Sequence, residues 1–182
     1  MRSIRYSVAC SLDGFIAGPN GEYDWIASDP DIDFNAMFAG FDTLLMGRKT
    51  YHLAASQPGL LKSMGMKAFV VSSTLHPADH PDVTVIADGV NAAVAALKAE
   101  GGSEARKDIW LFGGGELFRS LLDAGLVDSI ELAVSPVMLG SGVPLLPPGA
   151  HCKLVLTASK SLLKSGIVLL NYDIAGTLPG RG

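Results

Sequence analysis

The sequence predicts an α/β fold: a mostly parallel central sheet covered by helices on both faces, with an antiparallel strand at the C-terminal end. Three observations carry this. Apolar, β-branched runs alternate with segments of helical spacing along most of the chain. Glycine stands repeatedly where a strand run gives way to a helix. The last two strand runs are joined by a short connection around "KSG", too short for a parallel crossover.

The elements follow in order. Ile4, Tyr6, Val8 and Cys10 alternate with Arg5, Ser7 and Ala9, the pattern of a half-buried strand. "SLDGFIAGPNGEYDW" reads as a long loop with glycine and Pro-Asn turn signals. A short helix is expected over Ile32 to Ala39, then a buried strand "FDTLLMG" closed by Gly47, then a helix over Arg48 to Ala55. "KAFVVSS" and "VTVIA" are strands. Asn91 to Glu100 is helical and stops at Gly101-Gly102. "DIWLF" is a strand. Glu116 to Ala124 is a helix with Leu117, Phe118, Leu121 and Leu122 on one face, ended by Gly125. "SIELAVSP" alternates again, and Leu154 to Ser159 and Ile167 to Ile174 form the final pair. No repeat and no dividing linker is present, so residues 1–175 are expected as a single domain and 176–182 as a flexible tail.

Composition narrows the function classes. Apolar residues make up 48% of 182 and charged residues 18%, which argues against disorder. A net charge of −4 gives no reason to expect nucleic-acid or membrane attraction, so any anion site is local. Two cysteines, Cys10 and Cys152, without a C-x-x-C pair lead to the expectation of a reduced, cytoplasmic protein. The start is too short in apolar length for a signal peptide, and no run approaches a spanning helix. His52, His76, His80 and His151 lack metal-ligand spacing, so no metal is expected. Met37, Met46, Met64 and Met66 are expected to pack in the core or at its rim.

In such sheets ligands sit at the carboxyl ends of the strands, so the turns into helices are where chemistry belongs. Two stand out, "LLMGRKTY" and "WLFGGGELF". A helix N-terminus offers unpaired N–H groups and partial positive charge, which suit phosphate. Glycine lets a ligand approach the backbone, and Arg48, Lys49 and Thr50 add two cations and a hydroxyl. Neither turn fits a standard fingerprint: Phe118 stands where a dinucleotide motif needs its third glycine, and Arg48 rather than lysine follows Gly47. Each turn alone is equally an ordinary strand–helix connection. Two at one sheet edge favour a ligand with several phosphates.

The ordered set "SLDGFIAGPNGEYDW", "LLMGRKTY", "VVSST", "LFGGGELF" and "SPVMLGSGVPLLP" resembles the dihydrofolate reductase superfamily. Within it, the chain is similar to the reductase domain of riboflavin biosynthesis, over about Ile4 to Ile174. The resemblance implies a dihydrofolate reductase-like three-layer sandwich and NADPH as cofactor. It assigns Gly47, Arg48, Lys49 and Thr50 to phosphates, with Arg48 reading the 2′-phosphate and Ser72 and Ser73 beside the adenosine phosphate. It assigns Gly113, Gly114 and Gly115, with Glu116, Leu117 and Phe118, to the pyrophosphate, and adds Ile16 and Phe112 to the cofactor set. It implies a cis Gly113–Gly114 bond. The zinc deaminase that accompanies some riboflavin reductases has no H-x-E with P-C-x-x-C here.

For the substrate, Asp13 reads either as a turn aspartate bonding its own backbone or, by resemblance, as an orienting group beside the substrate. Trp25 is either a loop anchor or a neighbour of the bound ring. Asp31 and Asp33 stand at about the distance of the family's proton-donating carboxylate, yet "ASDPDID" also reads as helix capping. A buried carboxyl there would rise in pKa and supply a proton. Riboflavin-pathway reductases usually carry lysine after "SLDG" and glutamate before the glycine turn. Phe15 and Phe112 stand there instead, removing polar handles for a phosphoribosyl pyrimidine.

The expected activity is hydride transfer from NADPH to a C=N or C=O bond of a small heterocyclic substrate. The pyrimidine reductase of riboflavin synthesis, a folate reductase and a non-catalytic NADPH-binding sensor stand as alternatives. Residues of the chemical step stay unassigned. The sequence leaves the oligomeric state open. Because relatives are often dimers, the resemblance points to "SPVMLGSGVPLL" for a homodimer contact.

Overall fold

The computed structural model describes residues 1–100, 107–149 and 151–177. Strand β1 (Ile4–Ser11) leads into a short β2 (Phe15–Ala17), helix α1 (Phe34–Ala39), β3 (Phe41–Gly47), α2 (Arg48–Ala55), α3 (Leu60–Ser63), β4 (Lys67–Val71) and β5 (Thr84–Ile86). Helix α4 (Val90–Ala99), β6 (Asp108–Gly113), α5 (Gly115–Asp123), β7 (Ser129–Ser135), β8 (Val143–Pro144), β9 (Cys152–Leu162) and β10 (Ile167–Thr177) complete the chain. The stop expected at Gly101-Gly102 and the tail over 178–182 lie outside the described residues. Gly176 and Thr177 continue β10, opposite Lys153 and Cys152.

The main sheet has the order β5-β4-β3-β6-β1-β7-β10-β9. Strands β5, β4, β3, β6, β1 and β7 pair in parallel, and β10 is antiparallel to both β7 and β9. The chain steps outward from β3 to β5, returns as β6 beside β1, then crosses to β7. The direction of winding reverses there, and in open α/β sheets ligands sit at the carboxyl ends of the strands beside such a reversal, here β3, β6 and β1.

Alternation in β1 explains the two faces. Ile4 and Tyr6 point into a cluster with Leu45, Ile109, Leu111 and Ile130, closed by Val94 and Leu97 of α4 and by α5. The other face packs Leu44, Met46, Val70 and Trp110 against Tyr51 of α2, with Met37 and Phe38 of α1 at the margin. Leu117, Phe118, Leu121 and Leu122 of α5 are all buried, each worth roughly 1.5–3 kcal/mol. Met46 is fully buried, and Met64 and Met66 pack partly buried beside it.

The first loop is more ordered than its turn signals suggest. Its β2 pairs antiparallel with β8, and Leu12 N–H donates to the Val137 carbonyl (2.8 Å) and Leu145 N–H to that of Gly14 (2.9 Å). At Gly142 (φ 153°) a Cβ would run into the Ala17 carbonyl, so glycine is required there. Residues 12–17 and 137–145 thus form one flap at the carboxyl edge of the sheet, and Met138, Val143 and Leu146 of the segment expected at a dimer contact stay exposed.

Candidate functional site

Strands β3 and β6 are neighbours, and Met46 stands opposite Gly113, which brings the two glycine turns side by side. Helix α2 starts directly after Gly47 and α5 directly after Gly114, and no side chain caps either first turn. Two sets of unpaired N–H groups therefore open onto one place. Gly113 (φ 155°) and Gly114 (φ 98°) both take positive φ, which side-chain-bearing residues rarely adopt. Among the described residues no peptide bond is cis. The Gly113–Gly114 bond is therefore trans, which corrects the expectation: two successive positive-φ glycines redirect the chain without it.

The three glycines differ. A Cβ on Gly113 would stand 3.3 Å from Thr50 Cγ2, and one on Gly114 would stand 3.7 Å from Thr50 Oγ1. Thr50 thus bridges the two turns. A Cβ on Gly115 would stand only 2.7 Å from the Pro144 carbonyl oxygen. Gly115 is glycine because the segment after β8 packs on it, which gives it a structural task whatever its N–H binds.

Arg48 and Lys49 are exposed and make no ion pair among the described residues. Two cations at the positive end of a helix oppose its dipole, at a cost of about 0.3–1 kcal/mol each. A bound anion would turn that cost into a gain. Ser73 is exposed at the end of β4, while Ser72 is buried and its Oγ accepts from the N–H groups of Thr74 and Leu75, both at 3.2 Å. Ser72 therefore shapes the turn. Leu117 and Phe118 point into the core, so only their backbone can serve a ligand, and Glu116 is exposed. Ile16 sits half-buried in β2, and Phe112 meets Trp110 edge-on at 5.0 Å.

The expected substrate residues are engaged by protein groups. Asp13 Oδ1 accepts from Ser11 Oγ (2.6 Å) and Leu139 N–H (3.1 Å), and Oδ2 from Gly140 N–H (2.7 Å). The Ser11 hydroxyl first, then the Gly140 amide, hold its carboxyl below the usual range. It clamps the flap across 127 residues of sequence. Trp25 Nε1 donates to the Glu22 carbonyl at 3.0 Å. Asp33 caps α1 by accepting from Ala36 N–H at 2.9 Å. Asp31 is not a buried carboxyl: its side chain is 49% exposed and pairs with Lys164 at 3.0 Å.

The buried carboxylate of this loop is Asp29, which sequence reasoning passed over. It is 3% exposed and accepts from the N–H groups of Asp31 (2.8 Å) and Ser165 (3.1 Å). Ser165, ahead of the Asp31 amide, pulls its pKa down, the opposite of what a proton donor needs. The loop before α1 is thus tied to the β9–β10 turn. A group with a depressed folded pKa stabilises fully above its unfolded pKa of about 3.9, and that contribution is lost as pH falls through the folded value. We expect the melting temperature of the parent to fall more steeply below about pH 4 than that of Asp29→Asn. Parallel profiles from pH 7 to pH 3 would show that this tie does not titrate.

Among the described residues no group of three or more His, Cys, Asp or Glu is arranged to hold a metal, and no helix is long and apolar enough to cross a membrane. Burial pushes the Cys10 thiol up to about 11, so it is not a nucleophile at neutral pH.

The chain is 36% identical over 189 residues to YyaP of Bacillus subtilis (strain 168), covering 96% of each. Its fold matches a protein assigned to riboflavin biosynthesis from Shewanella sp. PV-4, with a TM-score of 0.77 and 26% identity over 96% of this chain and 99% of that one. A 16% identical match (TM-score 0.63) covers 96% of this chain and 57% of the Thermotoga maritima diaminohydroxyphosphoribosylaminopyrimidine deaminase/5-amino-6-(5-phosphoribosylamino)uracil reductase. The model of the RibD C-terminal domain matches residues 2–168, nearly the whole chain, and this protein belongs to that family.

Proposed function

We propose that this chain is an NADPH-dependent reductase that delivers a hydride to a C=N or C=O bond of a small heterocyclic substrate. The observation that carries the reading is the meeting of two uncapped helix N-termini beside Arg48 and Lys49, which pair with no described residue. Family membership supports the reductase class. The residue types suit the cofactor: the positive-φ backbone of Gly113 and Gly114 runs against the Thr50 side chain, and Arg48 and Ser73 stand at the neighbouring strand ends. The backbone of Gly113–Glu116 and the Thr50 hydroxyl would hold the diphosphate, and Arg48 the 2′-phosphate. When bound, NADPH supplies the hydride. The protein's part is to align the reacting carbons and exclude water beneath the flap clamped by Asp13.

The test is a substitution that separates ligand from fold. Gly114→Ala meets no atom closer than 3.7 Å, so the variant folds, with strain from the positive φ. Its NADPH affinity is expected to drop by at least roughly ten-fold, about 1.4 kcal/mol. A folded variant that binds NADPH like the parent in calorimetric titration would move the cofactor elsewhere on the sheet.

Family membership also favours a second reading, reduction of the phosphoribosylaminouracil named for the Thermotoga relative. Phe15 and Phe112 weigh against efficient turnover of that compound. Growth of a strain lacking that reductase, rescued at ordinary expression, would make it the leading reading.

A further inference from the structure

We propose that two copies of this chain pair face to face through the side of β9 and β10 that α5 also occupies. That face is apolar or hydroxylic, carries no charge and meets solvent. The pairing does not depend on the reductase reading above.

Register sorts the side chains. Val168, Leu170, Tyr172 and Ile174 of β10 stand opposite Ser161, Ser159, Leu156 and Leu154 of β9. Tyr172 also stands opposite Ile130, and Leu170 opposite Leu132, both of the core beneath α5. These eight side chains therefore share α5's side of the sheet. None is charged at neutral pH. Lys153, Lys160 and Asp173 fall on the other side, opposite Gly176, Leu169 and Val155. The sorting depends on a bulge. Thr157 is an extra residue between the pairs Leu156–Tyr172 and Ala158–Asn171, and its hydroxyl donates to the Asn171 carbonyl at 3.1 Å. Without it, the leucines and the serines of β9 would lie on opposite sides.

Helices do not shield this face. They lie chiefly against β3, β4 and β6, and residues 153–161 of β9 are all exposed. Leu154 is 38% and Leu156 53% exposed. The water-facing side of an antiparallel sheet is ordinarily its polar one. At the border of the face, Arg119 pairs with Asp123, Asp128 pairs with Lys98, and His151 stands exposed.

A second copy suits this face better than a foreign partner. A charge-free ribbon needs no opposite charge across from it, and an identical ribbon stacks on it about 10 Å away about a two-fold axis. Depletion of charge marks the core of a buried interface. The eleven residues of β9 give a face about 37 Å long. With the neighbouring cavity wall it approaches the roughly 800 Å² per partner of a stable dimer. Edge-to-edge pairing of two β9 strands is disfavoured, because antiparallel alignment about their middles brings Lys153 of one copy beside Lys160 of the other. At the amino end of β9 the face runs into an open cavity of about 360 Å³, with Leu122, Ile130, Leu146, Pro147 and Leu154 among its walls. An aliphatic side chain of the second copy would fill it. Leu146 is the member of the segment expected at a dimer contact that reaches this place.

Sedimentation equilibrium of the full chain, from about 1 to 50 μM, tests the pairing, with circular dichroism to check that each variant folds. The parent is expected at twice the chain mass. Leu156→Lys should raise the dissociation constant at least roughly hundred-fold, because it buries a charge without a partner. Ser159→Arg removes no buried group and should act in the same direction, so it decides the matter if Leu156→Lys fails to fold. Val155→Lys lies one residue along on the other side of β9 and should stay dimeric. A parent that is monomeric at about 50 μM, either folded variant with the parent's dissociation constant, or a Val155→Lys chain that dissociates as they do would overturn the pairing.

Discussion

Phe118→Ala is expected to lower the free energy of unfolding by about 3–5 kcal/mol, a large share of a marginal total. The ring is 1% exposed and stacks on Tyr6 at 3.9 Å. Its loss removes the contact that presses the first turn of α5 onto β1. Tyr6 would suffer as well, since its hydroxyl is already buried with no partner among the described residues, and burial raises its pKa. The Phe118 backbone N–H donates to Gly114 O at 2.9 Å, so the same residue anchors the turn at which the diphosphate is proposed to bind. Urea unfolding gives the measurement: the midpoint should fall with an unchanged slope. Ligand affinity of the molecules that remain folded should change much less than stability. A variant with parental stability and lost NADPH binding would mean that the ring faces the ligand and that its burial has been misjudged.

What the sequence made legible was punctuation. Glycine at Gly47 and Gly125 marks a strand end and a helix end by local chemistry alone, and the periodicity of Leu117 to Leu122 marks a helix face, so both were readable without partners. The resemblance then supplied the cofactor proposed for the turns. What stayed hidden depends on contacts distant in sequence. The three residues of β2 show no period, and they become a strand only because β8 arrives from beyond β7. Asp29, Asp31 and Asp33 are indistinguishable as letters. Ser165, 136 residues away, buries the first, Lys164 engages the second, and α1 takes the third as its cap. The triplet likewise hid a division of labour. Gly113 and Gly114 are set by backbone conformation, Gly115 by the carbonyl of Pro144.

Arg48→Ala is expected to weaken NADPH by roughly ten- to hundred-fold, the worth of a charge-assisted bond of about 1.5–3 kcal/mol, while NADH changes little. The reasoning begins from what Arg48 lacks. It is exposed, makes no ion pair among the described residues and stands at the first position of α2, where its charge opposes the helix dipole. No described residue holds it there, so its removal should leave the melting temperature unchanged or slightly raised. That separates this variant from those that act through stability. Lys49 stays in place and keeps a sequence-independent attraction for the diphosphate common to both cofactors, which is why the loss should fall on the 2′-phosphate. Calorimetric titration of parent and variant with both dinucleotides decides it. Equal losses for NADPH and NADH would assign Arg48 to the diphosphate instead, and would leave Ser73 and the end of β4 as the place to look for recognition of the 2′-phosphate.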